Sequence, residues 1–228
     1  MQSAEIPGSV TLTSIETVSI ESAENVDGGG SGLDISGNTF SDVENFNVIQ
    51  AQAVDVDAAD TQNLNVSGAT GQIELDGGKD VTVNHGTADE DITIGATTAA
   101  SGTVSVTDTV QGSGSIAVDG GTDVTVNATS EADNTSVGDG EIDVGPGGAS
   151  ADLPTGAIDI TQNLESDGDG AITGGDITTE GGSTVDITVN ANNVAEADDS
   201  DDDITVGTVG VTGSDDTTSV NVVQNGNP

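Results

Sequence analysis

Along this chain apolar and polar residues alternate in short runs. "VTLT" at Val10, "TVSIE" at Thr17, "NLNVS" at Asn63, "QIEL" at Gln72, "DVTVN" at Asp80, "DITIG" at Asp91, "TVSVT" at Thr103 and "SIAVD" at Ser115 all place an aliphatic residue at every second position. Successive side chains of a strand point to opposite faces, so each run predicts a half-buried β-strand. About eighteen such segments are legible, with Gly, Asn, Asp and Ser between them as turn formers. No window carries a convincing 3.6-residue period. The predicted class is all-β.

The runs repeat. A "D-[VI]-T-V-N" phrase begins at Asp80, Asp123 and Asp186, followed each time by "D/E-I-[TD]-[IV]-G" (from Asp91, Glu141 and Asp203) and then by a strand led by Gly or Thr (from Gly102, Gly156 and Thr217). The spacing between copies lengthens along the chain, which places insertions between strands rather than within them. Residues 1–75 carry a different phrase: "TSIETVSIES" (Thr13–Ser22) matches "SDVENFNVIQ" (Ser41–Gln50), with "DTQNLNVSG" (Asp60–Gly68) as a looser copy. No linker separates this part from residues 76–228, and Pro7, Pro146, Pro154 and Pro228 all lie outside the strand runs. A single continuous repeat body is expected over residues 1–228.

Two architectures accommodate many short strands. Tandem Ig-like β-sandwiches bury alternating residues of two sheets, usually around large aromatics, and here Phe40 and Phe46 are the only aromatics. A parallel β-solenoid needs only Val, Ile and Leu stacked in columns from coil to coil. The repeated phrases favour the solenoid, with the sandwich as the alternative.

Composition then limits the partners. The 228 residues include 41 acids, one lysine (Lys79), one histidine (His85) and no cysteine, for a formal charge of −40. Nucleic-acid binding is disfavoured because phosphate contacts need Lys and Arg, and anionic membrane surfaces repel such a chain. No run reaches the ~18 apolar residues of a spanning helix, so no membrane insertion is expected. The N-terminus shows neither a basic nor an apolar signal region, so the expectation is either a mature or excised segment with an added Met or export through a signal outside this sequence. Charge and scarce aromatics also match disordered chains, but the ordered alternation argues for folding.

The acids themselves suggest a cation. In stacked coils, carboxylates at equivalent positions would lie ~4.8 Å apart and repel by about 1 kcal/mol in water, more where partly buried. Calcium, which takes six to eight oxygens from carboxylates, carbonyls and water, reverses that sign. The candidate ligands are the strand-opening Asp80, Asp91, Asp123, Asp159, Asp186 and Asp203, together with Asp139 and Asp143 in "GDGEID", Asp167 and Asp169 in "SDGDG", and Asp199 and Asp201 in "EADDSDDD". None has EF-hand spacing. The alternative is that the acids only solvate the surface, with Asp serving as a turn residue.

Other residues have plainer readings. His85 lacks a second His or a Cys with which to build a zinc or nucleophilic site. Lys79 reads as an exposed turn residue, and Phe40 and Phe46 as core fillers. Asn84, Asn127 and Asn190, at one phrase position, predict a stacked Asn ladder in a turn.

"TSIETVSIES" and "DVENFNVIQ" resemble the "N-[VI]-E-x-[LF]-x-[VI]" strand repeats of bacterial surface-layer and large secreted repeat proteins. "DGGKDVTV" and "DGGTDVTV" are distantly similar to the RTX calcium-binding nonapeptide, but lack its further glycine before Asp and its tandem copies. The resemblance implies an extracellular, surface-layer or type-I-secretion-like context. The leading expectation is therefore a structural, self-assembling extracellular protein: a surface-layer or biofilm-matrix fibre subunit stabilised by calcium. Its partners would be further copies of itself, in a homopolymer or lattice, and cell-surface polysaccharide. An adhesin stalk or ice-binding β-helix is the alternative, although Thr82, Thr93, Thr125, Thr188 and Thr205 are isolated between apolar neighbours in sequence. Catalysis is not expected, because a polysaccharide-processing site lacks arginine and an aromatic platform here.

Overall fold

The computed structural model describes residues 12–27, 32–37, 40–132, 137–145, 152–166, 170–193 and 204–227. Every strand pair in it is parallel, and no helix occurs among the described residues. The first sheet stacks β1 (Thr17–Glu21), β3 (Asn45–Gln50), β5 (Asn63–Ser67), β7 (Val81–His85), β9 (Val104–Asp108), β11 (Val124–Ala132), β14 (Ala157–Ser166), β17 (Thr184–Asn193) and β20 (Ser219–Asn227). The second stacks β2 (Leu33–Asp34), β4 (Val54–Ala58), β6 (Ile73–Gly77), β8 (Ile92–Ile94), β10 (Ile116–Val118), β13 (Ile142–Val144), β16 (Ile177–Glu180) and β19 (Val209–Thr212). A third, short sheet joins β12 (Val137–Gly138), β15 (Ile172–Thr173) and β18 (Ile204–Thr205). The chain is a parallel β-solenoid in which successive coils add one strand to each main sheet. Ig-like sandwiches are excluded, since their sheets are antiparallel.

The core consists of the predicted columns. In the first sheet Leu64, Val81, Val104, Val124, Ile158 and Val185 occupy one inward register position, with Val66, Val83, Val106, Val126, Ile160 and Ile187 two residues along. In the second, Ile73, Ile92, Ile116, Ile142 and Ile177 form a matching column. All are at most 2% exposed. Two layers of branched aliphatics thus fill the solenoid without large aromatics. Phe40 and Phe46 are buried among them, as core fillers.

Coil length varies while register does not. Hydrogen-bonded residues on adjacent coils lie 18, 23, 27, 28, 34 or 35 residues apart. Length is absorbed at the corners. In the tightest of these, "DGG" turns carry the chain from the second sheet to the first through paired left-handed glycines, Gly77 and Gly78 (φ 72° and 86°) and Gly120 and Gly121 (φ 79° and 91°). A Cβ on Gly77 would strike the Ala58 carbonyl of the coil below, so both conformation and space demand glycine there.

Repeat and register agree for the N-terminal phrases: Thr17, Asn45 and Asn63 share one rung position, as their alignment predicts. They disagree for the third "DITVN". Asp80 and Asp123 hold the position taken by Thr184, whereas Asp186 pairs with Asp159, two residues further along. A two-residue offset preserves which side chains face inward, so the pattern tolerates it. For the same reason Asn190 is not stacked on Asn84 and Asn127. It donates to Asn163 (2.8 Å) and accepts from Asn225 (2.9 Å), in a ladder within the strands rather than in a turn.

These columns predict a sharp contrast between neighbouring positions. Ile142→Ala, at a site with no exposure, is expected to lower unfolding stability by about 2–5 kcal/mol in urea titration. Thr125→Ala, on the outer face, is expected to change it by less than about 1 kcal/mol.

Candidate functional site

The acids sort into three environments. At the corners, strand-opening aspartates hydrogen-bond the next coil. Asp80 accepts from the backbone N–H and hydroxyl of Thr103 (2.9 and 3.0 Å), Asp91 from Ser115 N–H (2.9 Å) and Asp123 from Ala157 N–H (2.7 Å). Asp89 and Asp176, not singled out from sequence, do the same for Ser113 and Thr208. These bonds hold the Asp80 and Asp89 carboxyls below the usual range. Lys79 lies beside Asp80 at 3.4 Å and is exposed, as its turn reading expects. A recurring Asp at this position therefore satisfies a corner N–H one coil away. Along this column Thr103 separates Asp80 from Asp123, so the two carboxylates are not on adjacent rungs.

On the outer faces acids do stack. Asp159 sits directly against Asp186 on the first sheet, and burial, with Asp186 and Asp123 nearby, raises its pKa. Asp143, on the second sheet, is raised by burial and by Glu141, Asp119 and Glu180. The strongest ladder was not among the sequence candidates. Asp34, Asp57 and Asp76 stack on three successive coils, and Asp55 stacks on Glu74 beside them. Burial, with repulsion from Glu74, Asp57, Asp27 and Asp76, pushes Asp55 up to about 6; Asp57 is also raised above the usual carboxylate range, by burial and by Asp76, Asp34 and Glu74. The signal in the sequence is the acids at alternate positions of "VDVDA" and "IELDG".

Asp139 is the third environment. It lies at the corner near β12, where burial pushes its carboxyl up to about 6 against a hydrogen bond from Ser130. Asp167, Asp169, Asp199, Asp201 and Asp203 lie outside the described residues. Among the described residues no three Asp, Glu or His side chains converge as a metal-binding group; the acids instead run as ladders along the faces. The interior also holds an unforeseen pair on adjacent coils: His85 Nδ1 stands 3.5 Å from Asp108 Oδ2, with both side chains fully buried.

On the earlier coils, before the outward column reaches Asp159 and Asp186, the outer face of the first sheet is uncharged. Asn65, Thr82, Ser105 and Thr125 form one outward column, with Ser67, Asn84, Thr107 and Asn127 beside it. Thr82 and Thr125, isolated in sequence, thus join an uncharged array across four coils, whereas Thr93 pairs with Glu74 on the second sheet and Thr205 lies in the third. No known family, no curated protein and no solved structure matches this chain.

The ladders fix the pH response. Asp55 binds its proton at about 6 when folded but at 3.8 otherwise, so its contribution to stability rises as pH falls through that interval. Asp80 and Asp89 act oppositely: their stabilisation is present above the unfolded value and is lost in stronger acid. In low salt with chelator, the thermal midpoint is expected to climb as pH falls from about 7.5 to about 5, and to drop again below about 3.5. Asp55→Asn combined with Asp57→Asn should flatten the climb; a midpoint that falls steadily from neutral pH contradicts this electrostatic account.

Proposed function

We propose that the chain is a structural, self-assembling extracellular protein, a surface-layer or biofilm-matrix subunit whose solenoids join end to end, with calcium bridging the stacked acids. One observation carries this reading. In the coil of β19 and β20, Val220 and Val222 continue the inward columns yet remain 50% and 44% exposed. Beside them β20 offers a strand edge with no further partner among the described residues. At the opposite end Val18 and Ile20 of β1 sit at the same column positions, half-buried. A second copy placed head to tail would extend both main sheets and cover these valines, and a heterologous contact of this kind generates filaments.

Charge explains why calcium belongs in the proposal. Two chains of −40 repel, and a hard divalent ion bridging carboxylates neutralises them where their faces meet. With calcium between them further copies become partners, and the same charge suits uncharged polysaccharide but not nucleic acid. A second reading, a module binding ordered water or a flat polysaccharide, is favoured by the uncharged columns of the first sheet. That reading leaves the chain monomeric.

Sedimentation and negative-stain microscopy separate the two. Millimolar calcium is expected to yield filaments one solenoid wide, and chelator to return monomers. Val220→Asp with Val222→Asp should leave a monomer whose circular dichroism is unchanged. Filaments that persist in the double variant, or a wild-type chain that stays monomeric in calcium, defeat end-to-end assembly.

A further inference from the structure

We propose that the interior corner between β11, β12 and β14 binds one hard cation, calcium or sodium, through the side-chain oxygens of Gln111, Asp139 and Gln162. This deepens the cation half of the reading above and does not depend on how copies join.

Gln111 has no exposure, and its Nε2 donates to the carbonyls of Gly114 (3.0 Å) and Gly140 (3.1 Å). Those bonds fix which end of the amide is oxygen, and Oε1 is left buried with no donor. Gln162, 1% exposed, directs its Nε2 to Asp139 Oδ2 (3.4 Å), so its Oε1 is likewise buried without a partner. Asp139 Oδ1 is the third such atom. Hydrogen bonds link all three residues into one cluster, since Gln111 binds the carbonyl of Gly140, the residue after Asp139, and Gln162 binds Asp139 itself.

The three unmatched atoms are all acceptors, and buried acceptors without donors are costly. The chain has no cationic side chain to offer. It contains no arginine, its lysine lies at the surface beside Asp80, and its histidine lies beside Asp108. A proton on Asp139 would supply one O–H, enough for one of the other two oxygens at most. A cation that prefers oxygen ligands satisfies all three atoms and balances the charge. One carboxylate with two amide oxygens is a donor set for calcium or sodium, not for zinc, which favours nitrogen and sulfur. This differs from the outer ladders, whose carboxylates stack on the sheet faces and, at Asp76, accept backbone N–H bonds from Thr97 and Thr98.

Calorimetric titration of the full chain, chelated and exchanged into choline chloride, tests the assignment with calcium in one arm and sodium in the other. The expected result is one saturable site per chain, standing above weaker binding by the surface acids. Asp139→Asn, which keeps the side-chain volume, and Gln162→Leu should each weaken that site by on the order of tenfold or more. Asp143→Asn, on the outer face, should leave it intact. The Asp139→Asn result decides the matter alone if Gln162→Leu does not fold. A saturable site unchanged in Asp139→Asn, or no saturable site for either ion, overturns the proposal and leaves water on these oxygens. Loss of this site with filament formation retained overturns nothing in the assembly reading, whereas loss of filaments with the site retained overturns assembly alone.

Discussion

Parallel stacking in register sets each residue against its equivalent one coil away, about 4.8 Å along the axis. This constraint governs everything else in the molecule. Aliphatic residues gain from it, because Val on Val and Ile on Ile form continuous dry columns at positions such as Val83–Val106–Val126. Amides gain as well, because each Asn can donate to the one below, as Asn190 does to Asn163. Carboxylates lose, because equal charges at that spacing repel and have nothing to donate.

The protein manages its acids by position. At the corner leading into the first sheet an aspartate alternates with a hydroxyl or small residue, so its oxygen meets an N–H of the next coil instead of another carboxylate; Asp80, Thr103 and Asp123 follow this rule. On the outer faces the rule is relaxed, and Asp55–Glu74 and Asp159–Asp186 stack directly. Burial first, and the neighbouring charge second, raises the pKa of Asp55 and of Asp159 there. A fold that tolerates such ladders is poised to respond to protons and to cations, which is why calcium and self-association belong to one proposal.

The columns were legible in the sequence because period-two alternation in "DVTVN" or "TVSVT" reports burial directly. The parallel architecture followed from the lack of aromatics, since stacked Val and Ile fill a narrow solenoid that a sandwich would leave thin. What the phrases could not report was rung position. "DITVN" at Asp186 looks equivalent to "DVTVN" at Asp123, yet corner insertions shift it by two residues and place its Asp on Asp159. Phrase matching also hid the Asp34–Asp57–Asp76 ladder, because a column is built from residues far apart in sequence whose local contexts differ. The pairing of His85 with Asp108, and the hydrogen bonds of Gln162 to Asp139 and of Gln111 to the Gly140 carbonyl, were hidden for the same reason.

In-register stacking is tested most directly by a distance along one column. Asn65, Thr82, Ser105, Thr125, Asp159 and Asp186 occupy successive rungs. The chain has no cysteine, so nitroxides on Asn65→Cys and Asp186→Cys report that span without interference. Pulsed electron paramagnetic resonance should give a single narrow distribution centred near 24 Å, five steps of about 4.8 Å. A broad distribution, or one centred well beyond about 30 Å, would contradict the stacked register on which the account rests.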